Sequence, residues 1–395
     1  MADLYTPHIS GVTNYISLSK STLEKLGHDV FVFTFGSDAD ADDEANVIRS
    51  PGIPFLETGY HFNLRHTRQA RNLLRTMDIV HVHHPFVSGS LAIRYCHPYL
   101  IPIVFTSHTR YDLYTQAYVP ALPEIIGDTV IQTYLQVFCR AIDLVIAPSN
   151  GMREVLTRFG VDVPIQVVPN GVDLAPFQST STAFDRTHFG FTKDDVILIF
   201  VGRMGPEKNL IFLINAFYGL HQAFQNVGLV LVGGGPELKQ LKDRVIQLGM
   251  AKRVHFTGSM NYQDIPGLLR MADAFVTASV TEVHPLSIIE AMATGLPVLG
   301  INSPGVSDTI VPEANGLLVQ SEDVAEFTAQ LARLVTNHAE RKSMGERAAI
   351  EALRYDINVT SKSILDQYAT AIANSYGKKV GLRTRFIRLT ERWSK

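Results

Sequence analysis

Residues 196–209 read VILIFVGRMGPEKN. Six apolar residues run without interruption into Gly202, and a basic, glycine-containing loop then opens onto a helical pattern. A short, unbroken, β-branched run suits a strand covered on both faces, as in a parallel sheet. The loop therefore joins the carboxyl end of a strand to the amino end of a helix. A ligand held there meets helix amides, the planar guanidinium fork of Arg203 and the point charge of Lys208. A solvated Arg and Lys at a strand–helix turn satisfy the same pattern, so this loop alone leaves both readings open.

The same rhythm extends in both directions. Upstream, β-branched runs stand at 30–34, 79–83, 103–107, 144–147 and 165–168, and downstream at 227–232, 253–257, 274–278 and 297–301. Turn residues bound each run and helical patterns separate them, which is the alternation that builds βαβ units. The rhythm breaks over 170–191, a segment rich in Ser, Thr and Gly. A chain of 395 residues is too long for one core. Two doubly wound α/β domains with a linker between them are predicted. The start is unusual, because residues 1–5 run almost at once into the loop 6–11 and a helix over 12–26 that Gly27 stops. The first strand of such a sheet is central. The expectation is a true start about five to eight residues upstream, by the length of a typical strand; the alternative is a stub strand over 2–5.

Hydrophobic residues make up 46% and charged residues 18%, so a buried core rather than disorder is expected. The net charge of −3 argues against a general nucleic-acid binder. No apolar run reaches the roughly 18 residues that span a bilayer. Cys96 and Cys139 form no disulfide framework, and a cytoplasmic setting is expected. The charge is uneven. Over 378–395 seven cations face only Glu391, a net of +6 that leaves the remaining chain at −9.

A second motif, EVHPLSIIE at 282–290, follows the run 274–278 and leads into a helix. Pro285 suits the first helical position, where its missing N–H costs nothing. The N–H groups of Ser287 and Ile288 are then expected to be unpaired and to face an anion. Glu282 and Glu290 flank that site, and a carboxylate can accept from two sugar hydroxyls. A helix-start Glu near the dipole and a surface Glu are the plain alternative.

Taken together, the two loops resemble the family 4 glycosyltransferases, whose second domain carries Gly-Arg, a Lys five residues after that Arg, and two Glu eight apart. Here these are Arg203, Lys208, Glu282 and Glu290. The resemblance also covers VPNGVD at 168–173, GGGP at 233–236, FTG at 256–258 and GLPV at 295–298. It implies a GT-B fold: two Rossmann-like doubly wound domains facing across a crevice, with a C-terminal crossover helix. It implies an acceptor domain over 1–176, a nucleotide-sugar domain over 177–355, a crossover helix over 356–376 and a separate tail over 377–395. It further implies a retaining, metal-independent enzyme without a cofactor. Arg203 and Lys208 would hold the diphosphate, Glu290 the ribose, Glu282 the donor sugar, and Gly11 a phosphate from the first domain. Pro285 departs from the family's usual Gly, and His284 from its usual aromatic or small residue, which bears on sugar selectivity.

The first domain supplies HVHHPF at 81–86 and SHTRYDLY at 107–114, each after a strand. These segments resemble bacterial diacylglycerol glucosyltransferases, and His108 then matches the family's active-site His that contacts the donor sugar. The three near-adjacent histidines suggest a zinc site, but two along a strand and one in the turn do not form a compact ligand set. The acidic run DADADDE at 38–44 contains an Asp-x-Asp spacing that elsewhere holds a metal; a solvated loop is the expectation. In the tail, Leu382, Phe386, Leu389 and Trp393 recur at spacings of four, three and four, with Arg383, Arg385, Arg388 and Arg392 around them. This is the make-up of an interfacial amphipathic helix, with Arg385, Phe386, Arg388 and Trp393 as membrane contacts.

The expected function is transfer of a hexose, glucose from UDP-glucose, to a lipid acceptor such as diacylglycerol. The expected location is the inner face of the plasma membrane, against an anionic surface. A soluble or polysaccharide acceptor, a nucleotide-sugar epimerase and an inactive nucleotide-sugar binding module are the alternatives.

Each basic residue near an anionic leaflet contributes about 1 kcal/mol, so roughly 6 kcal/mol bounds the electrostatic attraction of the tail. Removing residues 378–395 is expected to abolish sedimentation with anionic vesicles and to leave UDP affinity unchanged. In the intact chain the emission of Trp393, the single tryptophan, should shift blue on vesicle addition, and the shift should shrink as salt rises.

Overall fold

The unbroken apolar runs of the second half exist because each strand faces two cores. In the computed structural model, which describes residues 1–8, 10–36, 44–55, 60–63, 65–111, 113, 124–179 and 183–375, the chain forms two compact units. One is Val172–Asp356, and the other is Met1–Gly171 together with the helix Ile357–Ser375.

In the unit Val172–Asp356 the strands are β9 (Val196–Val201), β10 (Val227–Val232), β11 (Val254–Gly258), β12 (Ala274–Val276), β13 (Val298–Ile301) and β14 (Gly316–Val319). They are all parallel and lie in the order β11-β10-β9-β12-β13-β14. This is the Rossmann order, in which the first and fourth strands are neighbours. Side chains alternate between faces along each strand. Leu198 and Phe200 of β9 therefore pack with Phe217, Phe327 and Leu331, whereas Ile197 and Ile199 pack with Phe191, Leu269 and Ile289. Every one of these residues is buried.

In the unit that begins at Met1, β1 (Val32–Gly36) pairs in parallel with β2 (Val47–Pro51), and β3 (Ile53–Phe55) with β4 (Tyr60–Phe62) in an antiparallel pair. A four-stranded parallel sheet follows in the order β5 (Val80–Val82), β6 (Ile103–Thr106), β7 (Leu144–Ala147) and β8 (Ile165–Val167). Residues 1–5 form no regular strand. Met1 and Ala2 nonetheless fill the place between β1 and β5. The Ala2 amide donates to Phe33 O at 3.0 Å, the Met1 amine to His81 O at 2.6 Å, and the His83 amide to Met1 O at 3.0 Å. Asp3 follows at once and accepts from the amides of Val87 (3.3 Å) and Ser88 (2.6 Å). It thereby caps the helix Val87–Cys96, whose own N-cap Phe86 has no side-chain oxygen. The helix after the opening loop begins at Gly11 rather than Val12, with Ser10 and Thr13 forming a reciprocal capping box.

The helix Ile357–Ser375 buries Ile364 and Ala371 against Val104, Leu144, Ile146 and Val168. Its contact stripe also includes Ile357, Thr360, Ser361 and Ser375. Small residues there let the helix lie close, so Leu365 and Ile372 of the apolar pattern are only partly covered.

The GGGP segment has a geometric reason. Gly233 has φ +131, and a Cβ on it would stand 2.0 Å from Gly202 O; at Gly234 the nearest obstacle is the Ser259 hydroxyl at 2.8 Å. The first obstacle is backbone and cannot yield, whereas the second is a rotatable side chain. Gly233→Ala is expected to lower stability by roughly 2 kcal/mol or more, and Gly234→Ala by much less. Denaturant midpoints of the two variants compare them directly, and equal losses would contradict the steric explanation.

Candidate active site

β9 and β12 are adjacent, yet the chain leaves β9 toward β10 on its other side. The loops that follow β9 and β12 thus emerge side by side at the carboxyl edge, where doubly wound sheets take their ligands. The structure ties these loops together. Ser279 Oγ and Thr281 Oγ1 both donate to Glu207 O, at 3.0 and 3.2 Å. Lys208 Nζ reaches Glu282 Oε1 at 2.5 Å, and Arg203 Nη1 reaches Glu207 Oε1 at 3.5 Å. On the far side, the Met204 amide donates to Gly234 O at 2.8 Å. Arg203, Lys208 and Glu282, which lie up to 79 positions apart in sequence, therefore share one edge.

Glu290 sits on the helix Leu286–Ala293 and is buried. The Tyr262 hydroxyl donates to its Oε1 at 2.9 Å. Burial pushes its carboxyl up from 4.5 to about 7, only partly opposed by that hydroxyl. Near neutrality it both donates and accepts, which suits a sugar diol.

Pro285 is the N-cap of this helix and not its first residue. Its carbonyl accepts from Ile288 at 3.2 Å, so the Ile288 amide is paired, contrary to the sequence expectation. The frame moves by one residue: Leu286 and Ser287 are the first two helical residues, whose amides an α-helix leaves without an internal partner. The Ile288 side chain points into the core. His284 is buried, packs edge-on to Tyr355 at 5.2 Å, and leaves Nδ1 without a hydrogen-bond partner. Burial lowers its pKa to about 3, so it is a neutral aromatic group.

In the other unit, His83 Nδ1 and His108 Nε2 are 3.0 Å apart. The Tyr15 ring lies 5.2 Å from that of His108. His81 bonds to Tyr368 OH through Nδ1 at 2.6 Å and to Thr106 Oγ1 through Nε2 at 2.7 Å, and His84 Nδ1 accepts from the Asp3 amide at 3.2 Å. The three near-adjacent histidines thus have separate protein partners. Among the described residues, no group of three or more His, Cys, Asp or Glu could hold a metal ion. Burial holds His81 and His83 well below the ordinary imidazole value. Gly11 is the first residue of its helix, so its amide belongs to the first-turn set. Residues 38–43, Arg385, Phe386, Arg388 and Trp393 lie outside the described residues. Glu44, the end of the acidic run, pairs with Lys20 at 3.2 Å.

Sequence reasoning missed Glu207, Tyr262 and Tyr368. Glu207 lies inside the decisive loop, and its place between Arg203 and Lys208 was a usable signal. Tyr262 and Tyr368 reach their partners across 28 and 287 residues, and no local pattern announces them.

A family model described as Glycosyltransferase Family 4 matches residues 9–176, and one described as Glycosyl transferases group 1 matches residues 181–350. An alpha-monoglucosyldiacylglycerol synthase of Streptococcus pneumoniae is 30% identical over 81% of this chain and 74% of its own length. A protein of the same name from Acholeplasma laidlawii is 27% identical over 94% of this chain and 96% of its own. Among solved structures, Anabaena Alr3699/HepE in complex with UDP and glucose has a TM-score of 0.74 at 18% identity, covering 94% of this chain and 100% of that one. At that identity the likeness concerns the fold.

The Glu290 carboxyl binds its proton more tightly folded than unfolded, so its contribution to stability is present below about 4.5 and is lost as pH rises toward about 7. Glu290→Gln should therefore flatten the fall in melting temperature over that window and raise stability at pH 8, by about 3 kcal/mol at most. The same variant should bind UDP more weakly by calorimetry. An unchanged pH slope would show that the carboxylate is better solvated than its burial indicates.

Proposed function

This chain belongs to the family 4 glycosyltransferases, and we propose on that premise that it moves glucose from UDP-glucose to a membrane lipid such as diacylglycerol, with retention and without a metal. The observation that carries the donor reading is the convergence of Arg203, Lys208 and Glu282 where the sheet order reverses. Negative charge grows on the diphosphate as the glycosidic bond breaks. Fixed cations and helix amides aimed at that charge stabilise it without reorganisation. Arg203, Lys208 and the amides of Leu286 and Ser287 take this role, Glu290 holds the ribose, and Glu282 and His108 hold the donor sugar. Gly11 presents its amide to a phosphate. The acceptor hydroxyl attacks from the face the leaving group departs, and its proton passes to a leaving phosphate oxygen.

Two relatives named as alpha-monoglucosyldiacylglycerol synthases support a lipid acceptor. The basic tail with its apolar spacing supports a peripheral seat on an anionic leaflet. Among the described residues no helix is long and apolar enough to cross a membrane.

The test is a panel of nucleotide sugars against diacylglycerol in liposomes, read by mass spectrometry. UDP-glucose should give a monoglucosylated product in excess chelator. Loss of a charged hydrogen bond of about 1.5 to 3 kcal/mol corresponds to roughly ten- to hundred-fold, so Arg203→Ala and Lys208→Ala should each lose that much activity without unfolding. Wild-type turnover in both variants would reject the diphosphate assignment, and a product formed only on a soluble acceptor would reject the lipid.

A further inference from the structure

We propose that His83 is a positioning residue that fixes the ring plane of His108 and commits its Nε2 to a hydrogen bond. This inference rests on the reading of His108 as a donor-sugar contact. His83 is buried, and three rings confine it. His81 lies against it with ring centroids 4.2 Å apart, Tyr15 meets it at 6.1 Å and 70°, and His108 stacks at 5.2 Å and 23°. His81 is itself anchored at both nitrogens, to Tyr368 on the last helix and to Thr106 at the end of β6. A line of contacts therefore runs from the helix Ile357–Ser375 through β5 to the loop that carries His108.

The bond between the two imidazoles constrains protons as well as positions. A neutral imidazole carries one N–H and one bare nitrogen. Burial excludes charge from His83, so in its 3.0 Å contact with His108 one ring donates and the other accepts. If His83 Nδ1 donates, His108 Nε2 is bare; if His83 Nδ1 accepts, His108 Nε2 carries a proton. In both cases His108 Nε2 is committed to His83, and the protonation of that nitrogen is coupled to the tautomer of His83. A ring with one nitrogen committed in this way is held in one orientation, which is how the outer partner of a functional histidine acts elsewhere. Packing alone makes no such demand, since a phenyl ring at position 83 would fill the same space.

His83→Phe, His83→Asn, His108→Ala and the double variant His83→Phe/His108→Ala separate these possibilities. Asn places an amide near the Nδ1 position and can take either hydrogen-bond role, whereas Phe keeps the packing and removes the bond. Loss of a neutral hydrogen bond corresponds to roughly two- to ten-fold. The expected result is that loss in kcat/KM for His83→Phe at an unchanged melting temperature, with most of the activity restored by His83→Asn. The double variant should be no worse than His108→Ala. Nitrogen-15 shifts of labelled histidine should show His108 Nε2 hydrogen-bonded in the parent and not in His83→Phe. Wild-type activity in His83→Phe with His108→Ala impaired would overturn the role of His83 alone. Losses that multiply in the double variant would overturn it too, as would His83→Asn being as impaired as His83→Phe. Wild-type activity in His108→Ala would sink the His108 assignment and this inference with it.

Discussion

β9 carries β10 on one edge and β12 on the other, and the meeting of Lys208 with Glu282 in the unit Val172–Asp356 depends on that pairing. The chain runs outward through β10 and β11, returns, and resumes at β12 on the opposite side. A doubled-back order forces two loops to leave the same edge in opposite directions and so opens a place between them. The hydroxyls of Ser279 and Thr281 on one Glu207 carbonyl then hold the two loops at a set distance. Without β12 beside β9, Lys208 and Glu282 would have no reason to meet.

The charges gathered there are costly to bury, and partners from nearby segments offset that cost. Lys208 and Glu282 are each about four-fifths covered and pair with one another. Glu207, nearly fully covered, faces the half-exposed Arg203. Glu290 is met by a hydroxyl, a weaker counterpart for a carboxylate than a cation, so burial raises its pKa and the hydroxyl opposes that rise only in part. Buried charges with one partner removed destabilise far more than intact pairs stabilise.

The unit that begins at Met1 handles its polar groups differently. His81, His83 and His84 are held below the ordinary imidazole value by burial and bond to hydroxyls, to His108 and to an amide. Asp3 caps a helix that starts 84 residues later, so the short opening segment is held at both its backbone and its side chain.

The sequence by itself determined the strand–helix alternation, because apolar runs that are short, rich in β-branched residues and bounded by turn residues favour strands covered on two faces. It also supplied the residue types of the proposed donor site: Arg203 and Lys208 in one loop, Glu282 and Glu290 in another. The last helix was legible from local spacing, whereas its return to the first unit and the family came from the resemblance. Only the tertiary structure decided what those residues touch. The Lys208–Glu282 pair, Tyr262 on Glu290 and Tyr368 on His81 join segments that no local period relates. Pro285 as a cap rather than a first helical residue was equally hidden. A proline is compatible with both places, and the choice between Ser287–Ile288 and Leu286–Ser287 as the outward amides turns on whether the Pro285 carbonyl takes the Ile288 amide, as it does in the structure.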